Sequence, residues 1–107
     1  MGSIRYGEAE YEFEDRALAH VKAAVSTKLR RKESCFLNWT RAPREGGGRV
    51  TLWISPDTPL IFRFSASVPP ELNQTWVRVL LHFAGTPQGM RIVSEQDAED
   101  FARRRGI

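Results

Sequence analysis

Ser34-Cys35-Phe36-Leu37-Asn38-Trp39-Thr40-Arg41 and Arg49-Val50-Thr51-Leu52-Trp53-Ile54-Ser55 alternate apolar with polar side chains and are rich in β-branched and aromatic residues, which marks two half-buried strands. Ala42-Pro43-Arg44-Glu45-Gly46-Gly47-Gly48 separates them, a flexible loop by composition, so the two strands are expected to run antiparallel. A third strand is expected from Leu60 to Ala66. It follows Pro56-Asp57-Thr58-Pro59, whose prolines lack amide donors and suit a turn better than a strand interior. The three strands read as a meander.

Side chains on a strand alternate faces, so parity sorts these residues. Cys35, Leu37 and Trp39, then Val50, Leu52 and Ile54, then Leu60, Phe62 and Phe64 are expected in the core. The opposite face carries Phe36, Asn38 and Thr40, then Thr51, Trp53 and Ser55, then Ile61, Arg63 and Ser65. Pairing Leu37 with Leu52 sets Phe36 opposite Trp53. Pairing Leu52 with Phe62 sets Trp53 opposite Ile61 and Thr51 opposite Arg63. An outer face showing Phe, Trp and Ile together forgoes roughly 25 cal/mol per Å² that burial recovers, so Phe36, Trp53, Ile61 and Arg63 are the candidate contact surface. Its occupants are a second copy or a partner protein, or a nucleic-acid strand whose bases stack on Trp53 and Phe36 with Arg63 near a phosphate. The competing cover is the C-terminal segment, through Ala98, Phe101 and Ala102.

Toward the N-terminus, Ile4, Tyr6, Tyr11 and Phe13 alternate with Arg5, Glu10, Glu12 and Glu14 around Gly7, which predicts a short hairpin. Asp15 fits a helix N-cap, and Leu18, Val21, Val25 and Leu29 recur at helical spacing from Arg16 to Lys32. Beyond the meander, Pro69 and Pro70 lead into a second helix from Glu71 to Ala84. Leu72, Trp76, Val79, Leu80 and Phe83 share one stripe of it, and Gly85 is its C-terminal cap. Met90 to Val93 adds a short strand, and Ser94 with Asp97 opens a last helix to about Arg105. The expectation is one α+β domain over residues 1–93 with a helical extension over 94–107. Its sheet is largely antiparallel, a hairpin plus a three-stranded meander, with the first two helices on one face.

A length of 107 residues allows a single domain, and 41% hydrophobic with 27% charged residues excludes collagen, coiled coil and wholesale disorder. No apolar run approaches the roughly 20 residues that cross a bilayer, and the opening residues lack the apolar segment of a secretion signal, so a cytoplasmic protein without a membrane partner is expected. The single cysteine, Cys35, fits a reducing compartment, which makes the sequons at Asn38 and Asn73 chance matches. Sixteen Lys and Arg against 13 Asp and Glu leave a formal +3, a bias that permits nucleic-acid contact.

The cations gather in two places. Lys28, Arg30, Arg31 and Lys32 close the first helix, where its dipole favours positive charge. Arg41, Arg44 and Arg49 surround the glycine loop, which can conform to phosphates. Joined, these seven residues form the candidate nucleic-acid patch. Arg103, Arg104 and Arg105 are balanced by Glu95, Asp97, Glu99 and Asp100, a charge pattern that follows the dipole of the last helix.

Catalytic and metal chemistry find little footing. His20 and His82 are lone residues within helices, without the spacing of a zinc site. Cys35 falls in the core set, where a thiol is usually packing. Gly46-Gly47-Gly48-Arg49 lacks the Lys-Ser/Thr pair of a phosphate loop, and no Gly-x-Ser-x-Gly elbow exists. Glu10, Glu12 and Glu14 share one strand face, as on a solvated edge. No catalytic residue, metal or cofactor is expected.

Phe13-Glu14-Asp15-Arg16-Ala17-Leu18-Ala19-His20, Lys28-Leu29-Arg30-Arg31-Lys32-Glu33-Ser34, Asn38-Trp39 and the run from Arg49 to Phe64 resemble a family of small uncharacterised actinobacterial proteins, often labelled ATP-dependent DNA ligase. A ligase of that kind forms an adenylate on the lysine of a Lys-x-Asp-Gly motif. Here Lys22 is followed by Ala-Ala, Lys28 by Leu-Arg and Lys32 by Glu-Ser, so the motif is absent and no catalytic residue carries over. The resemblance leaves a nucleic-acid accessory role open.

Two functions follow from the residues. One is a non-enzymatic nucleic-acid-binding protein using the basic patch, which requires steep salt dependence. The other is a protein-interaction or homodimerisation module using the outer sheet face, which requires weak salt dependence and a dominant role for Trp53.

Overall fold

The computed structural model describes residues 1–107. Its alternating N-terminal segments form β1 (Gly2–Tyr6) and β2 (Ala9–Phe13), and the first amphipathic stretch forms α1 (Asp15–Arg30). Then come β3 (Cys35–Thr40), β4 (Arg49–Ile54), β5 (Leu60–Arg63), α2 (Gln74–Ala84), β6 (Met90–Arg91) and α3 (Glu95–Arg105). The class is α+β, with mostly antiparallel pairing.

The strands make two small sheets rather than one. The first runs β2-β1-β5 and the second β4-β3-β6, with β3 and β6 parallel. The register between β3 and β4 sets Leu37 opposite Leu52 and Phe36 opposite Trp53, as the alternation requires. The third meander strand is the correction. β5 pairs with β1, placing Ile4 opposite Phe62 and Arg5 opposite Ile61, so Trp53 does not face Ile61, nor Thr51 Arg63. Five residues with two prolines, Ser55 to Pro59, separate β4 from β5. Such a connector does not enforce the tight hairpin that two-residue turns impose. The inward side chains Leu60 and Phe62 instead complete the face that β1 presents through Tyr6 and Ile4.

Parity holds along every middle strand. Cys35, Leu37, Leu52 and Ile54 are buried, while Phe36, Trp53, Ile61 and Arg63 are exposed. The inner faces of the two sheets turn toward each other at Trp39. Its ring meets Tyr11 at 5.1 Å and Phe13 at 5.0 Å, both edge-on. α2 lies at the centre of the helical layer, touching α1, α3, β3 and β6, so its stripe of Trp76, Val79, Leu80 and Phe83 is buried.

Helix ends correct part of the local reading: α2 begins at Gln74, not Glu71, and leaves Leu72 outside the helix and 37% exposed. Ser94 caps α3 through the amide of Asp97, and Asn73 caps α2 by accepting from Thr75 and Trp76. Asp15 does not cap α1. It is the first helical residue, and its carboxylate reaches across to the amides of Ser65 and Ala66. Those amides, Ala66's foremost, hold it below the usual carboxylate range.

Candidate functional site

The outer face of β3 and β4 centres on an aromatic pair. Phe36 and Trp53 sit opposite each other in the ladder, their rings edge-on with centroids 5.0 Å apart. They are 41% and 48% exposed, a large share for side chains of this size. Three features hold them in place. Gly89, at φ +88°, lies directly against Phe36, where an added Cβ would stand 2.7 Å from the Cβ of Phe36. Asn38 donates to the carbonyls of Gln88 and Met90 and accepts from Thr51 Oγ1 at 2.7 Å, stitching β4, β3 and β6 together beside the pair. The Tyr6 hydroxyl donates to the Trp53 carbonyl at 2.8 Å, which occupies an edge acceptor of β4 and ties the two sheets at this corner.

The C-terminal helix leaves this face open. Ala98 and Ala102 of α3 are buried against α2, and Phe101 meets Phe83 at 4.8 Å. Ile61 and Arg63 belong to the other sheet. Since the inner faces of the sheets meet, these two residues lie on a different side of the molecule from Phe36 and Trp53. The expected four-residue row is therefore two separate features.

The seven cations are divided as well. Lys28 pairs with Glu33 at 3.0 Å, and the Arg31–Lys32 turn stands beside the start of β3. Arg41, Arg44 and Arg49 cluster at the opposite end of the β3–β4 ribbon, around the glycine loop. At about 3.3 Å per residue, β3 keeps the two groups about 16 Å apart. Arg41 also donates to the Glu45 carbonyl of its own loop and lines a hollow beside Glu10 and Glu12. The structure does not bring the seven residues into one patch.

His20 and Cys35 are committed to packing, while His82 is exposed on α2. His20 is fully buried and stacks on Trp76 at 4.2 Å. Its Nδ1–H donates to the Arg16 carbonyl, and its Nε2 accepts from the Asn73 amide, a pairing that fixes the neutral tautomer. Burial pushes the Cys35 thiol up, away from reactivity. No three His, Cys, Asp or Glu side chains converge as a metal site, and no helix is long and apolar enough to cross a membrane.

Two arrangements were hidden from the sequence pattern. The first is a polar junction where three helix ends meet: Arg16 forks onto both oxygens of Glu95, and Asn73 donates to Glu95 and Glu99. Arg16 foremost, then Asn73, lowers the Glu95 carboxyl to about 2. In the sequence, Asn73 stands out only as a chance sequon, not as a cap. The second is an open groove of about 660 Å³ between α1 and the irregular segment 64–72. The spacing of Lys22, Ser26 and Arg30 along one side of α1 is its sequence trace.

No curated protein and no solved structure matches the chain. A family model does, from residue 1 to residue 95, so the match spans both sheets and the first two helices and stops at the first residue of α3. The chain belongs to that family, DUF7882, a domain of unknown function.

Proposed function

We propose that the chain is a non-enzymatic contact module that meets a second copy of itself through the outer face of β3 and β4. The observation that carries this reading is the open Phe36–Trp53 pair, which stays exposed while α3 packs on α2. An aromatic pair is the usual anchor of a protein interface, whereas solitary exposed apolar residues need no partner. Phe36, Asn38, Thr40, Thr51 and Trp53 are uncharged, and Arg49 alone brings charge to the outward rows of β3 and β4. Two copies meeting at Trp53 thus bring uncharged residues together at the centre of the contact, with Arg49 about 13 Å away along β4.

The same feature weighs against nucleic acid. A single-strand binder combines stacking rings with cations that follow the backbone. Arg49 lies four residues from Trp53 along β4, about 13 Å away, and the two cation groups stand at opposite ends of the ribbon. The ligase label of the resembling actinobacterial proteins gains no support, since no lysine here sits in an adenylation motif. A cytoplasmic setting accords with the single free thiol of Cys35.

Light scattering across about a hundredfold range of concentration tests the reading, with an oligonucleotide titration at two salt concentrations beside it. The expected result is a mass that rises with concentration, little affected by salt, and no rise for Trp53→Glu. A constant monomer mass together with salt-sensitive oligonucleotide binding that Arg44→Ala and Arg49→Ala weaken overturns it.

A further inference from the structure

The groove between α1 and residues 64–72 is a second feature, independent of the aromatic face. Its volume of about 660 Å³ falls within the roughly 300–1,000 Å³ typical of small-molecule sites. Val77 lies buried at its floor, Phe64 is half-buried in its wall, and Val68 and Leu72 line it while 76% and 37% exposed. Two of the chain's exposed large apolar side chains therefore gather at one opening.

Charge defines the ligand further. Lys22 and Arg30 both line the groove, and neither makes an ion pair with an acidic side chain. The Lys22 ammonium lies 5.7 Å from the centroid of the Phe64 ring. Arg30 follows eight residues later on the same helix, about 12 Å along its axis. The acidic residue of the lining, Asp15, is held ionised by the amides of Ala66 and Ser65 and pairs with neither cation, so the two cations against one carboxylate leave the groove net positive. Two single charges about two helical turns apart, with Ser26 between them on α1 and the apolar side chains Phe64, Val68 and Leu72 among the rest of the lining, do not make the clustered cage of donors that a phosphate favours.

We propose that this groove binds an elongated amphipathic carboxylate, its chain against Phe64, Val68 and Leu72 and its head group paired with Lys22 or Arg30. The partial enclosure suits one small molecule and not a folded partner. Both cations are solvent-exposed, so reversing them leaves the core untouched.

Octanoate is the probe, with octanol as its uncharged counterpart, and amide chemical shifts report where each binds. Octanoate is expected to shift amides of α1 and of residues 64–77, and octanol to bind about tenfold more weakly, the worth of one charge-assisted hydrogen bond. The double variant Lys22→Glu with Arg30→Glu is expected to lose octanoate binding while staying folded, its melting temperature lowered only slightly by the charge reversal at the C-terminal end of α1. Lys22→Glu alone is expected to weaken binding with no such cost. Trp53→Glu is expected to bind octanoate normally, which separates this site from the contact face. Absence of octanoate shifts in the groove, equal binding of octanol, or unchanged binding by the double variant overturns the proposal.

Discussion

The junction of the three helix ends and the outer face of β3–β4 were left in opposite states by folding. At the junction, Arg16, His20, Asn73 and Glu95 each find partners within hydrogen-bond distance, and no buried side-chain polar atom anywhere in the chain lacks one. On the sheet face, Phe36 and Trp53 pack edge-on against each other and still keep a large share of their surface open. Residue types that ordinarily signal chemistry, a histidine with an arginine and two glutamates, were thus consumed by structure. The types that ordinarily signal structure were left facing solvent. Function is to be sought where the fold leaves a need unmet, and that place is apolar.

Substitutions can break this contrast from either side. His20→Ala has the largest expected effect on stability. It removes a fully buried ring, opens a cavity beside Trp76 and leaves the Asn73 amide without its acceptor. Urea unfolding is expected to show a loss of about 3 kcal/mol. A loss below about 1 kcal/mol means the junction is less committed than its geometry indicates.

Gly89→Ala comes next, since it joins a left-handed backbone to a collision with Phe36. A loss of about 1 to 3 kcal/mol is expected, together with altered near-ultraviolet dichroism as the aromatic pair shifts. Unchanged dichroism contradicts the role given to Gly89 in seating Phe36.

A narrower effect belongs to Glu95. Arg16, then Asn73, hold its carboxyl down to about 2, below its ordinary value of 4.5, so its contribution is complete above 4.5 and is lost as the pH falls through about 2. Amide protection in α3, taken relative to the intrinsic exchange rate at each pH, is expected to fall over that window in the wild type, and to be low and flat there in Glu95→Gln. The same acid response in both proteins rules out Glu95 as its source. Trp53→Ser has the smallest expected effect on folding, within about 0.5 kcal/mol, because the side chain is already half in water and Tyr6 bonds only its carbonyl. A larger loss makes Trp53 a structural residue and removes the contrast.

The order of legibility follows the range of the interactions. Strand parity was readable because alternation is local: Leu37, Leu52 and Ile54 had to share a face once the strands existed. The start of α2 was not legible: Pro69-Pro70 pointed to Glu71, and the cap is Asn73. The start of α3 and the C-terminal end of α2 were readable because their signals, Ser94 and Gly85, are local. The partner of β5 was not, because Leu60 and Phe62 match the inward faces of β4 and β1 equally well, and only tertiary assembly chooses. Asp15 shows the same limit. Its helix-start signal was genuine, but backbone amides about fifty residues away took its carboxylate. At the candidate site, Phe36 and Trp53 were legible as neighbours through the β3–β4 register. Ile61 and Arg63 were misjoined to them by the same nonlocal choice, and the groove depends on segment 64–72, which has no periodicity to read.

A dilution series followed by amide chemical shifts tests the contact surface most directly. The account predicts shifts that grow with protein concentration, confined to Cys35–Asn38, Thr51–Ile54 and the neighbouring Gly89, and absent from Trp53→Glu. Spectra that stay constant on dilution, or change chiefly at Lys28–Lys32 and Arg41–Arg49, contradict it.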